Sequence, residues 1–134
     1  GRLKLAPTTG ILPVAYHDPC YLGRYNGVYT PPRQTLAAAT GAPPCELPRH
    51  AAESFCCGAG GARNWMEENR GRRINQERAE EALRSPADVL AVGCPFCLGM
   101  LDDGLKAKAA EGSRALPVRD IAEIVADRLP QPGA

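Results

Sequence analysis

Five of the six cysteines in this chain recur at near-even intervals: Cys20, the adjacent Cys56 and Cys57, and the pair Cys94 and Cys97. The pattern reads C-x35-CC-x36-C-x2-C, with only Cys45 outside it. Thiolate is the ligand form of cysteine, and soft sulfur sets select zinc or iron–sulfur centres. Five thiols spaced this way can converge on one such centre. Zinc takes four ligands, and Cys94/Cys97 is half of a zinc site; the adjacent doublet and the surplus fifth thiol fit a tetrahedral ion poorly. Cys94-Pro95-Phe96-Cys97 taken alone reads as a thioredoxin-type redox pair, because it follows a strand pattern and opens a helix. The three further aligned cysteines demote that reading. Buried thiols or disulfides account for one or two cysteines but not for five in this arrangement. Cys45, in a proline-rich stretch, reads as an incidental free thiol.

Each cysteine group follows a short segment and precedes a turn or helix. Leu12 to His17 is an apolar run that stops at Asp18-Pro19-Cys20, the pattern of a buried strand. Thr30-Pro31-Pro32 suits a helix start with Thr30 as N-cap, and Gly41 suits its end. Residues 42–48 read as a loop by their prolines. Glu53-Ser54-Phe55 leads into Cys56-Cys57-Gly58-Ala59-Gly60-Gly61, and a long polar helix is predicted from about Arg63 to Arg84, weakened by Gly71. Trp65 and Met66 read as core on that helix. Ala87 to Val92 is the clearest strand; Gly93-Cys94-Pro95 closes it and opens a helix to about Ala110. A last helix is predicted over Val118–Leu129, with Val118, Ile121, Ala122, Val125 and Leu129 on one face.

Strands alternating with helices imply an α/β domain with a small, largely parallel sheet flanked by helices. Residues 11–130 read as one unit, 1–10 as a tail or linker from a longer chain, and 131–134 as a C-terminal tail. In open α/β sheets ligands bind at the carboxyl edge, so the cysteine ligands are expected at the carboxyl ends of strands. Gly58, Gly60, Gly61 and Gly93 let the backbone approach a ligand and aim N–H groups at sulfur. The G-x-G-x-x-G phosphate-loop spacing is absent, because position 63 is Arg. His17 reads either as a strand-end histidine bonded to backbone or as a donor or proton relay beside the centre.

A net charge of +1 argues against a nucleic-acid surface. No apolar run approaches a membrane span, and the first residues lack a signal-peptide h-region. The cysteine content suits metal-bound thiolates in a reducing, cytoplasmic setting better than a disulfide scaffold. The chain begins at Gly1 and reads as a piece of something longer, so membrane segments would lie upstream.

Three stretches carry a family resemblance: Tyr16-His17-Asp18-Pro19-Cys20-Tyr21-Leu22-Gly23-Arg24, Glu53 to Gly61, and Val92-Gly93-Cys94-Pro95-Phe96-Cys97. Together they resemble the CCG, or cysteine-rich, domain of heterodisulfide reductase, of the glycolate oxidase iron–sulfur protein and of related Fe–S oxidoreductases. Asn64-Trp65-Met66-Glu67-Glu68 and Gly71-Arg72-Arg73-Ile74-Asn75 are most similar to a membrane-associated subgroup that accepts electrons from electron-transfer flavoprotein. The resemblance implies a [4Fe–4S] cluster, cubane or non-cubane, held by Cys20, Cys56, Cys57, Cys94 and Cys97, with Gly58, Gly60, Gly93 and His17 beside it. It implies electron transfer between a flavoprotein and a quinone or other acceptor. The alternatives are disulfide cleavage at the same cluster, a structural zinc domain, and a metal-free thiol–disulfide oxidoreductase. Arg63, Arg72 and Arg73 read as a solvated charged face, the commoner case, or as groups that stabilise an anionic cluster or face an acidic flavoprotein.

Overall fold

The computed structural model describes residues 3–130. Four short strands form one parallel sheet: β1 (Val14–Tyr16), β2 (Cys45–Glu46), β3 (Val89–Val92) and β4 (Val118–Asp120), ordered β2-β1-β3-β4. Helices α1 (Thr30–Thr40), α2 (Ile74–Leu83), α3 (Pro95–Ala110) and α4 (Ile121–Ala126) flank it, giving the α/β architecture that the alternating pattern implies.

Side chains alternate between the two faces of a strand. Val14, Tyr16, Val89 and Ala91 therefore share one face and pack with Leu36, Ala39 and Ile124 of α1 and α4. Ala15, Leu90 and Val92 take the other face and meet Ala79, Ala82, Leu101 and Leu105 of α2 and α3. Burial on both faces is why β1 and β3 read as unbroken apolar runs. Gly104 lets α2 and α3 approach: a Cβ there would lie 2.8 Å from the Asn75 carbonyl oxygen. Gly104→Val is expected to cost about 1–3 kcal/mol through overpacking. The measurement is the urea midpoint; an unchanged midpoint would mean that the two helices separate without cost.

Several sequence expectations need correction. Within the predicted helix 63–84, only Ile74–Leu83 is α-helical; Arg63–Trp65 is a single 3-10 turn, and Gly71 takes φ +65° in a loop. Helices in proteins depend on packing an apolar face, and this stretch has none to pack: Trp65 is 81 % and Met66 59 % exposed, so neither is core. The predicted helix 118–129 begins with a strand. Val118–Asp120 pairs with β3, and the helix starts only after Asp120, which caps it through a capping box with Glu123. The buried residue of α4 is Ile124, and Ala122 is exposed.

The stretch 42–48 contains β2, whose Cys45 and Glu46 pair with Ala15 and Tyr16. An edge strand of two residues tolerates neighbouring prolines, which interrupt nothing beyond it. Thr30 is the first residue of α1 rather than its cap; Tyr29 holds the cap position without a side-chain bond. Gly41 ends α1 as expected, with φ +87° and its N–H on the Ala37 carbonyl.

Near the start of the described chain, Leu5 packs against the α1/α4 core and the Ala6 N–H donates to the Arg128 carbonyl at 2.7 Å. Residues 131–134, read from the sequence as a tail, lie outside the described residues. No helix among the described residues is long and apolar enough to cross a membrane.

Candidate metal centre

From β1 the chain builds outward to β2 on one side and to β3 and β4 on the other. In such sheets a crevice opens at the carboxyl ends of the strands where the order reverses, here between β1 and β3. Cys20 lies on the turn after β1, and Cys94 lies two residues beyond the end of β3. Cys94 holds the cap position of α3, Pro95 follows it, and Cys97 stands in the first turn. Pro95 costs the helix nothing there, because N–H groups of a first turn have no helical partner. The doublet Cys56-Cys57 does not follow a strand at 53–55. It reaches the carboxyl edge on the loop after β2, through a 3-10 turn at Ala51–Glu53.

These segments meet in one cleft of about 290 Å³, lined by Cys20, Cys56, Cys57, Cys94 and Cys97. Tyr21, Trp65 and Phe96 line it as well, so the wall is largely apolar apart from sulfur. Cys45 is elsewhere, in β2 and packed against the core. All six cysteines are free thiols.

Cys57 and Cys97 are buried, and a ring nitrogen of His17 lies with their two Sγ atoms within a mutual 4.8 Å. The Gly58 N–H donates to the Cys56 Sγ at 3.2 Å. This turn needs glycine at 58: φ is +92°, and a Cβ would crowd Ile74 at 3.2 Å. Gly60 lines the cleft with open space on its Cβ side. A Cβ at Gly93 would make only ordinary contacts, 3.5 Å from Leu22, so close approach is not what that position requires.

Sharing a hydrogen with Cys57, together with burial, pushes the Cys56 thiol far above the usual range. The Cys56 contact draws Cys57 down, but the Cys97 contact and burial outweigh it and leave Cys57 pushed up to about 12. Burial and the mutual thiol contacts thus favour the protonated form of both sulfurs. A bound cation reverses that balance and displaces the protons.

A polar frame holds the segments together. Asp18 accepts from both terminal nitrogens of Arg33 at 2.8 Å, and from the Ala51 N–H at 2.8 Å. The Ser54 hydroxyl donates to the Asp18 carbonyl at 3.1 Å. Arg33 continues to Glu46 of β2 at 2.6 and 2.8 Å. The turn bearing Cys20, the edge strand and the approach to the doublet are thus joined. Burial pushes the Asp18 carboxyl up, but Arg33 and the Ala51 N–H hold it below the usual carboxylate range.

His17 is buried, and its Nδ1 accepts from Arg78 Nε at 3.1 Å. Burial and the neighbouring Arg78 charge push it down to about 3, so the ring is neutral. Arg78 itself is fully buried and pairs with Glu81 at 2.8 Å. Sequence reasoning did not single out Arg78, because arginine is a surface residue by default; the one local signal is Glu81 three positions on. Arg63, Arg72 and Arg73 pair with Glu68, Glu80 and Asp103 on the outside, as a charged face.

The family profile described as "Cysteine-rich domain" (CCG) matches residues 14–102. The chain is 49 % identical over 116 residues to "Probable iron-sulfur-binding oxidoreductase FadF" of Bacillus subtilis, covering 87 % of this chain and 16 % of that one. It is 41 % identical over 132 residues to "EtfAB:quinone oxidoreductase" of Syntrophomonas wolfei, covering 93 % and 18 %. It is 37 % identical over 116 residues to one polypeptide of the "Dihydromethanophenazine:CoB--CoM heterodisulfide reductase" of Methanosarcina barkeri, covering 87 % and 27 %. The chain therefore spans less than a third of the length of these relatives. No solved structure matches it.

Proposed function

Because the chain belongs to the CCG cysteine-rich domain family and is similar to proteins named an iron–sulfur-binding oxidoreductase and a heterodisulfide reductase, we propose that Cys20, Cys56, Cys57, Cys94 and Cys97 hold one [4Fe–4S] cluster, cubane or non-cubane, in an electron-transfer domain. The observation that carries this is the cleft at the reversal point of the sheet, which five free thiols from three separate segments line while Cys45 stands apart. An all-sulfur donor set suits iron–sulfur clusters. Zinc would leave at least one of the five thiols unused.

When bound, the cluster supplies reversible one-electron storage. The chain's own groups favour the negative charge that such a centre carries. The start of α3 faces Cys94 and Cys97 with its positive dipole end, and the Gly58 N–H serves Cys56. Tyr21, Trp65 and Phe96 restrict water at the mouth. Gly60 and Gly93 flank the site without adding bulk to it. Electrons arrive from a flavoprotein of the electron-transfer type and leave toward a quinone, a reading supported by the likeness to an EtfAB:quinone oxidoreductase. The domain works on the cytoplasmic side, and contact with the membrane falls to other parts of the protein. The second reading is disulfide cleavage at the same centre, favoured by the likeness to a heterodisulfide reductase.

The test is anaerobic purification of the full-length protein. About four iron and four sulfide are expected for this centre, beyond those of any other cluster, and a variant lacking the doublet should lose that share. A preparation holding one zinc and no iron at this centre overturns the proposal. EPR after mixing the oxidised centre with reduced flavoprotein, or the pre-reduced centre with a disulfide, separates the two readings: reduction by the flavoprotein supports the first, and a new signal on adding the disulfide supports the second.

A further inference from the structure

We propose that Arg78 is a positioning residue: it fixes the tautomer of His17, so that His17 donates a hydrogen bond to the sulfurs of Cys57 and Cys97 and stands outside the ligand set. The proposal rests on the cysteine site proposed above.

A guanidinium has only donors. Arg78 Nε–H meets His17 Nδ1 at 3.1 Å, so Nδ1 must present its lone pair. The neutral ring then carries its proton on Nε2. A protonated Nε2 cannot ligate a metal, but it can donate, and Cys57 and Cys97 are the sulfurs beside the ring. Read without Arg78, the group His17, Cys57 and Cys97 looks like three ligands for one ion; with Arg78 it is two ligands and a donor.

Arg78 is held too firmly to release the ring. It is fully buried. Its Nη1 donates to the Arg49 carbonyl at 2.9 Å and to Glu81 at 2.8 Å, and its Nη2 reaches the Ser54 hydroxyl at 3.4 Å. Ser54 also holds the Asp18 carbonyl, so one guanidinium spans the segment just after β1 that bears His17 and the approach to the doublet. Lysine offers a point charge and no fork, so it keeps the partner of Glu81 and loses the aimed Nε–H. Hydrogen bonds to sulfur are among the groups that set a cluster's potential. Added electron density falls on sulfur, so a donor there stabilises the reduced form and raises the potential.

The test uses the full-length, cluster-loaded protein labelled with 15N-histidine. Pulsed EPR of the paramagnetic state is expected to show one weakly coupled histidine 15N that disappears in His17→Phe. His17→Phe should lower the potential, Arg78→Lys should shift it in the same direction, and the double variant should match His17→Phe alone. A strong coupling, as from a ligating nitrogen, overturns the proposal, and so does the absence of any coupled histidine. An Arg78→Lys shift that persists undiminished without His17 also overturns it, because residue 78 would then act directly. Should Arg78→Lys fail to fold, the wild-type coupling and His17→Phe decide alone. Protein lacking iron and sulfide at this centre fails the cluster reading instead; the ring 15N shifts still report the tautomer, and a proton on Nδ1 sinks the assignment.

Discussion

Cys57→Ser is expected to remove most of the iron and sulfide of this centre from the full-length protein, whereas Cys45→Ser retains the wild-type amount. Cys57 is the better probe of the doublet because it is buried, with its sulfur beside that of Cys97. A serine oxygen is a harder and far less acidic donor than sulfur, so it competes poorly for a soft centre. Cys45 packs against the α2/α3 core from β2 and does not line the cleft. Burying a hydroxyl where a thiol stood costs on the order of 1–3 kcal/mol, so far-UV circular dichroism must accompany the metal analysis. Equal loss of iron in both variants would refute the ligand assignment.

Glu81→Ala should destabilise the domain by about 3–5 kcal/mol, because it leaves Arg78 buried without its counter-charge. Arg78 and Glu81 have side chains only 0 % and 4 % exposed, so water does little to screen the loss. Glu81 also accepts from the Arg49 N–H at 2.6 Å. The double variant Arg78→Met/Glu81→Leu removes both charges and should recover much of the stability, while losing the donor to His17. Denaturant unfolding measures these differences; a loss below about 1 kcal/mol, typical of surface pairs, would contradict the buried-pair account.

The same pair sets a pH dependence. Burial pushes the Glu81 carboxyl up, but the Arg49 N–H and the Arg78 guanidinium override it and hold the group below its ordinary value. A depressed carboxylate contributes stability that is complete above the unfolded pKa of about 4.3 and is lost as pH falls through the folded value. The advantage of wild type over Glu81→Gln is therefore expected at neutral pH and should shrink in acid. Cluster-free protein is the right sample, since thiolate ligands also take up protons in acid. An advantage that grows as pH falls would reverse the assignment.

Local patterns carried much of the fold. The apolar runs at Val14–Tyr16 and Val89–Val92, and the Cys94-Pro95 opening of α3, were legible because each needs only a few adjacent residues. Two strands were not. β2 has two residues and exists only by pairing with Ala15 and Tyr16, thirty positions earlier. β4 carries three residues that continue the helical pattern of Ile121 and Val125, and Asp120 breaks it by capping rather than by a proline or glycine. The stretch 63–73 has helix-forming composition but no surface to pack against, so Trp65 ends at the mouth of the cleft.

The sequence by itself determined the candidate donor set, its separation from Cys45, and the strand–helix alternation that brings a carboxyl edge to the thiols. Those are properties of residue type and short spacing. Only the tertiary structure decided that the doublet arrives from the loop after β2, that Asp18 clamps Arg33 and Ala51, and that an arginine lies inside against His17. Those contacts join residues 15, 33 and 61 positions apart. Separations of that kind follow no local period, and burial of a charge depends on partners that the chain brings together only when it folds.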